Sequence, residues 1–281
     1  MLAPHQHSAR LAASSLVVGY DTPIVNNISL EIQPGKLTIL VGSNGCGKST
    51  LLKCLARVLP PMSGQVLLND EPIHQLGAKA VAKTLALLPQ GPIAPEGLTV
   101  RELVAQGRYP HQTFFQQWSE HDEQMVDEAM AMANVTELAD RAVTDLSGGQ
   151  RQRCWIAMVL AQETDIILLD EPTTYLDLKV QVDLLSLLSQ LAHQHHRTLV
   201  VVLHELNLAA AYADELIMMK SGTIYAAGHP EQVFTADNLK QVFGLNANVI
   251  RDPHTQTLQC VPTETASVAR GQTRSVMSAV I

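Results

Sequence analysis

The sequence predicts an α/β fold: a buried, mostly parallel sheet flanked by helices, with an antiparallel β subdomain at its N-terminus and a helical subdomain inserted in its middle. Three observations predict it. Residues 37–41, 165–170 and 199–203 are short, almost unbroken apolar runs, as strands covered on both faces require. The first two of these runs are followed by stretches with helical apolar spacing. Between Thr99 and about Val143, by contrast, the helical period persists without an intervening strand pattern.

In chain order, the small and polar residues up to about Ser14 are predicted to be loose. Residues 16–20 and 28–32 read as strands, separated by turn signals at Asp21-Thr22-Pro23 and Asn26-Asn27. The strand at 37–41 ends in the run Gly42-Ser43-Asn44-Gly45-Cys46-Gly47-Lys48-Ser49-Thr50. Leu51, Leu52, Leu55, Val58 and Leu59 then recur at helical spacing as far as Pro60-Pro61. Residues 65–68 and 85–88 read as strands. Thr99-Val100-Arg101-Glu102 is a capping box, and Met125, Ala129, Met132 and Ala133 keep one helical face, so residues 91–162 are assigned to the inserted subdomain. A helix starts at Ser147-Gly148-Gly149, and a leucine-rich helix covers about 177–193. Residues 217–219 and 223–226 read as a terminal hairpin around Ser221-Gly222. Beyond about 246 the pattern weakens, which divides the chain into a main domain, 1–245, and a C-terminal extension, 246–281.

The chain has 281 residues and a formal charge of −8, with 46% hydrophobic and only 16% charged residues. This apolar fraction excludes a disordered chain. The low charge content points to a large partner interface. The acidic balance, without Lys/Arg runs, argues against electrostatic capture of nucleic acid. No apolar run is long enough to span a bilayer, and the N-terminus lacks the basic-then-apolar order of a signal peptide, so a cytosolic location is expected. Cys46, Cys54, Cys154 and Cys260 form no CxxC pair, which disfavours a zinc site or a disulfide framework.

The chemistry begins at Gly42-x4-Gly47-Lys48-Ser49, which fits the phosphate-loop pattern. Gly42, Gly45 and Gly47 permit backbone torsions that turn successive amides inward toward phosphate oxygens. The following helix aims its N-terminus at the same anion. Lys48 is placed to neutralise the β- and γ-phosphates and Ser49 to ligate Mg²⁺. A chance glycine turn is the competing reading, and the strand before and the amphipathic helix after the motif disfavour it. The apolar strand at 166–170 ends in Asp170-Glu171. Alone, that pair reads as a solvated turn or helix cap. With a phosphate loop upstream, Asp170 is expected in the Mg²⁺ shell and Glu171 as the base that polarises the attacking water. A second anion clamp lies at Ser147-Gly148-Gly149-Gln150, which pairs a hydroxyl donor with exposed glycine amides and a helix N-terminus. One triphosphate does not need two such cradles in one chain.

Leu146-Ser147-Gly148-Gly149-Gln150 resembles the signature motif of ATP-binding cassette (ABC) ATPases, and the resemblance covers about residues 12–245. It implies that the second clamp closes on nucleotide held by another subunit, and that two identical chains form a head-to-tail homodimer around two ATP·Mg²⁺. Gln90 resembles the glutamine of the family's Q-loop, which senses Mg²⁺ or water and abuts the membrane subunits. His204 resembles the switch histidine at the γ-phosphate, Asp177 the D-loop aspartate, and Tyr20 the aromatic residue that stacks on adenine. Glu205 departs from the Asp that the family often has after the switch histidine.

Residues 101–112, 154–163 and 172–177 are similar to bacterial importers of ferric siderophores, haem and vitamin B12, and most of all to ferric-enterobactin-type import ATPases. This implies integral membrane permease subunits, an indirect periplasmic ligand-binding partner, and a peripheral position on the cytoplasmic face of the inner membrane. The segment from Gly107 to His111 is expected to meet the permease. Haem, vitamin B12 and an exporter role remain alternatives. A nucleic-acid-handling cassette is disfavoured, because the roughly one hundred residues between the phosphate loop and the signature hold one helical subdomain and little more.

Overall fold

The computed structural model describes residues 9–92, 96–113 and 118–263. The N-terminal sheet has strands β1 (Leu11–Gly19), β2 (Pro23–Ile32), β4 (Ser63–Leu68) and β5 (Glu71–Pro72), ordered β2-β1-β4-β5. All its pairings are antiparallel. Residues 11–14, expected to be loose, open strand β1 instead. Leu11 and Ala13 are buried while Ser14 is exposed, so the alternation begins earlier than composition suggested.

The central sheet is built from β3 (Leu37–Gly42), β6 (Leu85–Leu88), β7 (Ile166–Asp170), β8 (Thr198–Val202), β9 (Glu215–Lys220) and β10 (Thr223–Gly228), ordered β10-β9-β3-β8-β7-β6. Five strands run parallel, and β10 closes the edge as an antiparallel hairpin with β9. Period-two alternation splits each central strand between two cores. Leu37, Ile39, Val41, Ile167, Leu169, Leu199 and Val201 face one core. Leu40, Ile166, Leu168, Val200 and Val202 face the other, with helix α1 (Lys48–Leu55) and the N-terminal sheet.

Helix α1 stops at Leu55, short of the predicted Leu59. Arg57 takes a left-handed φ of 62°, Val58 N–H reaches back to the Lys53 carbonyl, and Arg57 N–H to Cys54. This is a Schellman ending, and it leaves Val58 exposed.

Helix α2 (Ala78–Thr84) leads into β6. The inserted helical region holds α3 (Val100–Ala105), a 3₁₀ segment over Gln106–His111, α4 (Glu120–Met132) and α5 (Gly148–Ala161). The expected capping box at Thr99 and Glu102 is formed, and a second one at Ser119 and Asp122 starts α4. Arg108 is almost wholly buried. It donates to Asp122 at 2.8 Å, to the Ala161 carbonyl at 2.7 Å and to Glu163 at 3.1 Å, which fastens the 3₁₀ segment to α4 and α5.

Helix α6 (Leu178–His193) covers one sheet face, and α7 (Leu206–Tyr212), α8 (Pro230–Val233) and α9 (Ala236–Phe243) follow. The β9–β10 hairpin is therefore not terminal. Past residue 246, where the pattern weakened, β11 (Ala247–Arg251) and β12 (Leu258–Pro262) form an antiparallel hairpin. Ala247 and Cys260 join the main core, and the Asn207 carboxamide brackets the Cys260 backbone with bonds of 2.7 Å and 3.4 Å. No helix among the described residues is long and apolar enough to cross a membrane.

Candidate functional site

The parallel strands deliver the polar residues of the site at their carboxyl ends, where open α/β sheets form crevices. β3 ends at Gly42, β7 at Asp170, β8 just before His204, and β6 just before Gln90. A cleft of about 430 Å³ is lined by Asn44, Gly45, Lys48, Ser49, Thr50, Gln90, Glu171 and His204, with Ile24 from the N-terminal sheet on its rim.

The loop between β3 and α1 turns on Gly47, whose φ of 103° is a conformation that L side chains rarely adopt. A β-carbon at Gly47 would also lie 3.0 Å from Val25. Gly47 is the N-cap of α1, and no side chain caps that helix. The buried Lys48 ammonium donates to the Gly42 carbonyl at 2.8 Å and the Ser43 carbonyl at 3.3 Å, which holds its charge across the loop. Cys46 is buried beside it: its Sγ lies 4.0 Å from the Lys48 ammonium, its N–H donates to the Ser43 carbonyl at 3.2 Å and its carbonyl accepts from Gly222 N–H at 3.1 Å.

The Ser49 hydroxyl donates to Asp170 Oδ1 at 2.9 Å. Burial pushes the Asp170 carboxyl above its ordinary value; the Ser49 hydrogen bond opposes this, and the charge of Glu171 adds to it. A hydroxyl and a buried carboxylate converging beside an uncapped helix N-terminus match the oxygen donors that Mg²⁺ prefers.

Glu171 follows β7 with a φ of 52°, strained for a residue with a side chain. Its Oε2 accepts from Gln90 Nε2 at 2.5 Å and from Thr174 Oγ1 at 3.2 Å, and its Oε1 lies 2.5 Å from His204 Nε2. Three residues predicted as catalytic from separate strand ends therefore meet on one carboxylate. Sequence reasoning gave no role to Thr174, nor to Ile24. Thr174 lies within the 172–177 stretch singled out for its resemblance, three positions after Glu171, and Ile24 follows Tyr20 by four.

Other expected residues stand apart from the cleft. Tyr20 is 61% exposed in the turn after β1 and does not line it. Ser147 caps α5 reciprocally with Gln150: the Ser147 hydroxyl accepts from Gln150 N–H at 3.3 Å, and Gln150 Oε1 accepts from Ser147 N–H at 3.1 Å. Gly148 lines a neighbouring pocket with Gln90, Thr174, Tyr175 and Trp155, while Gly149 lies close to Val180 of α6. Asp177 caps α6, accepting from Val180 N–H at 2.9 Å. Glu205, the departure noted above, does not cap α7. Its carboxylate accepts from Thr173 Oγ1 at 3.0 Å and Gln181 Nε2 at 3.2 Å.

The ABC transporter family pattern matches residues 25–174. A protein of Bacillus subtilis (strain 168) described as a siderophore transport system ATP-binding protein, YusV, is 53% identical over 253 residues, covering 90% of this chain and 92% of the relative. The ferric enterobactin transport ATP-binding protein FepC of Escherichia coli (strain K12) is 48% identical over 255 residues, covering 90% and 94%. Among solved structures, an ABC transporter assigned to the metal-chelate type, in an inward-facing conformation, superposes with a TM-score of 0.80 at 29% identity, covering 92% of this chain and 99% of that one. The family pattern spans the phosphate loop, Gln90, the strand-end carboxylate Glu171 and Thr174, and the chain belongs to the ABC transporter family as an ATP-binding, ATP-hydrolysing subunit.

Proposed function

We propose that this chain is the motor subunit of a bacterial importer of ferric siderophores, of catecholate type, acting as a homodimer on the cytoplasmic face of the inner membrane. The observation that carries the motor reading is the convergence of Gln90, Thr174 and His204 on Glu171, beside the phosphate loop. The cargo class rests on relatives about half identical to this chain and named for siderophore and ferric enterobactin transport.

In this reading the nucleotide-binding unit spans 1–245, the helical subdomain occupies about 91–162, and 246–281 is an extension. Amides of Gly42, Ser43, Asn44, Gly45, Cys46 and Gly47 cradle the ATP phosphates, with Lys48 and Thr50 beside them. Ser49 and Asp170, with Gln90, hold Mg²⁺. When bound, the metal supplies charge neutralisation across the phosphate oxygens. Glu171, whose two oxygens are held by Gln90, Thr174 and His204 at the cleft wall, accepts the proton of the attacking water. His204 contacts the γ-phosphate, and Tyr20 stacks on the adenine.

Ser147 already accepts a hydrogen bond from within its own helix, so its hydroxyl proton remains available to a phosphate. We assign that phosphate, and those met by Gly148, Gly149 and Gln150, to nucleotide on the partner chain, with Asp177 coupling the two sites. Closure on ATP and reopening after hydrolysis drive the permease subunits. The permease is met at the groove formed by Ala78, Ala82, Tyr109, Pro110 and Gln112, where the buried Arg108 leaves Tyr109 78% exposed. A periplasmic binding protein delivers cargo to that permease, and nucleic acid is not a partner.

The test is to delete the gene and follow uptake of radiolabelled ferric enterobactin, haem and cobalamin separately. Loss of siderophore uptake alone is expected. Unchanged siderophore uptake with loss of either other ligand overturns the cargo and leaves the motor standing.

A further inference from the structure

Glu205 sits at the N-cap of α7 but leaves its own helix uncapped. An aspartate there is the right length to accept from the first-turn amides. The additional methylene of glutamate carries the carboxylate past them and across to the segment that follows Glu171. One oxygen accepts from the Thr173 hydroxyl at 3.0 Å and the other from Gln181 Nε2 at 3.2 Å. Thr173 is buried, and Gln181 is half-buried on the second turn of α6. The Gln181 carboxamide also donates to the Leu176 carbonyl at 3.1 Å and, more weakly, to the Thr173 carbonyl at 3.4 Å. The two side chains together therefore staple residues 173–176, which contain the strained Tyr175 (φ 64°), to the turn that carries His204. His204 and Thr174, both bonded to Glu171, lie on the two sides of that staple.

We propose that Glu205, acting through Gln181 and Thr173, is a positioning residue for hydrolysis. It fixes the spacing between the His204 turn and the loop that follows Glu171, so that both ends of the Glu171 carboxylate stay held at once. The inference rests on the reading of Glu171 and His204 as hydrolytic residues. Among the described residues its hydrogen-bond partners are Thr173 and Gln181, neither of which is assigned to nucleotide, so its loss displaces groups rather than removing a contact to substrate.

The experiment measures steady-state hydrolysis by purified chains, with ATP affinity and thermal unfolding followed in parallel. Glu205→Ala is expected to lower kcat by about tenfold, the scale of a sub-ångström displacement of a reacting group, with KM and ATP affinity close to wild type. Glu205→Gln, which keeps the length and one acceptor, falls between the two. Thr173→Val removes a hydroxyl while keeping the shape, and Gln181→Leu removes the other donor. Each lowers kcat, and combining either with Glu205→Ala adds less than the product of the single effects. The two single-donor variants decide the matter if Glu205→Ala does not fold. The proposal is overturned if kcat is unchanged, if kcat and ATP affinity fall together with stability, or if the effects multiply independently. Glu171→Gln serves as the internal control: wild-type turnover in that variant overturns the underlying hydrolytic reading, whereas a slow Glu171→Gln beside a fully active Glu205→Ala overturns only the staple.

Discussion

Two glycine-rich helix starts in this chain have opposite chemistry. Helix α1 begins at Gly47 with no side-chain cap, so its first amides depend on an acceptor from elsewhere. Helix α5 begins at Ser147 with a complete reciprocal cap from Gln150, and its amides are partly satisfied by its own sequence. The first lies in a cleft lined by Lys48, Ser49 and Glu171, with Asp170 bonded to Ser49; the second lies on a neighbouring pocket that Gly148, Arg151, Gln152 and Trp155 of α5 share with Gln90, Glu171 and Thr174. The difference teaches that equal glycine content does not mean equal function. In the function proposed above, the uncapped N-terminus beside a buried lysine holds nucleotide in its own chain, whereas the capped one serves nucleotide on a second chain.

The largest test of this contrast removes the chemistry from the α1 side alone. Glu171→Gln is expected to bind ATP yet hydrolyse it about 10²- to 10⁴-fold more slowly, the range for loss of a general base. It should elute as a dimer on gel filtration with ATP and Mg²⁺. A monomer saturated with nucleotide would break the account. Next in size, Lys48→Ala is expected to weaken ATP binding about a hundredfold, as for removal of one partner of a buried charged contact. Equilibrium binding to the purified, folded variant measures this, and wild-type affinity would detach the α1 site from phosphate.

Mixing the two helix starts sharpens the comparison. Chains carrying Ser147→Arg and chains carrying Lys48→Ala are each expected to be inactive, and activity partly returns when they are combined. A mixed dimer then has one site with both lesions and one with neither. No recovery would mean that α5 serves the cleft of its own chain.

Smaller effects concern stability. The folded-state pKa of Asp170 is raised, chiefly by burial, so its contribution to stability is fully present below the unfolded value and is lost as pH rises through the folded one. Asp170→Asn is therefore expected to raise the unfolding temperature of the nucleotide-free protein at neutral pH. The gain should vanish in acid, and Mg²⁺-dependent turnover should be lost. An unfolding temperature below wild type at pH 7 would contradict the burial argument.

Least of all, Gly148→Ala is expected to stabilise α5 by up to about 1 kcal/mol, the usual helical preference for alanine, because no neighbouring atom lies within 4 Å of the added carbon. Gly149→Ala should gain less, since its β-carbon would lie 3.0 Å from Val180 Cγ1. Thermal unfolding of both variants compares them directly.

Local signals were the readable part of this sequence. The phosphate loop, the Thr99–Glu102 cap and the apolar strands depend on residues within a few positions of each other, so short-range chemistry specifies them. Misreadings arose where a local conformation or a distant neighbour decided. The left-handed Arg57 ends α1 although the apolar spacing runs on to Leu59. The β11–β12 hairpin carries a weak pattern because it buries little more than Ala247 and Cys260, against a core supplied by other elements.

What the sequence determined by itself was the set of chemical parts and the strand ends that carry them. Tertiary structure decided which parts meet. Ser49 reaches Asp170 across 121 positions and Gln90 reaches Glu171 across 81, because strand order places β3, β8, β7 and β6 side by side with their carboxyl ends aligned. Glu205 shows the same limit: the sequence marks it only as a departure from Asp, while packing of α6 against the His204 turn sends its carboxylate to Thr173 and Gln181. A side chain's partners are fixed by which backbones lie within a few ångströms of it, and that is a property of the packed chain rather than of its local order.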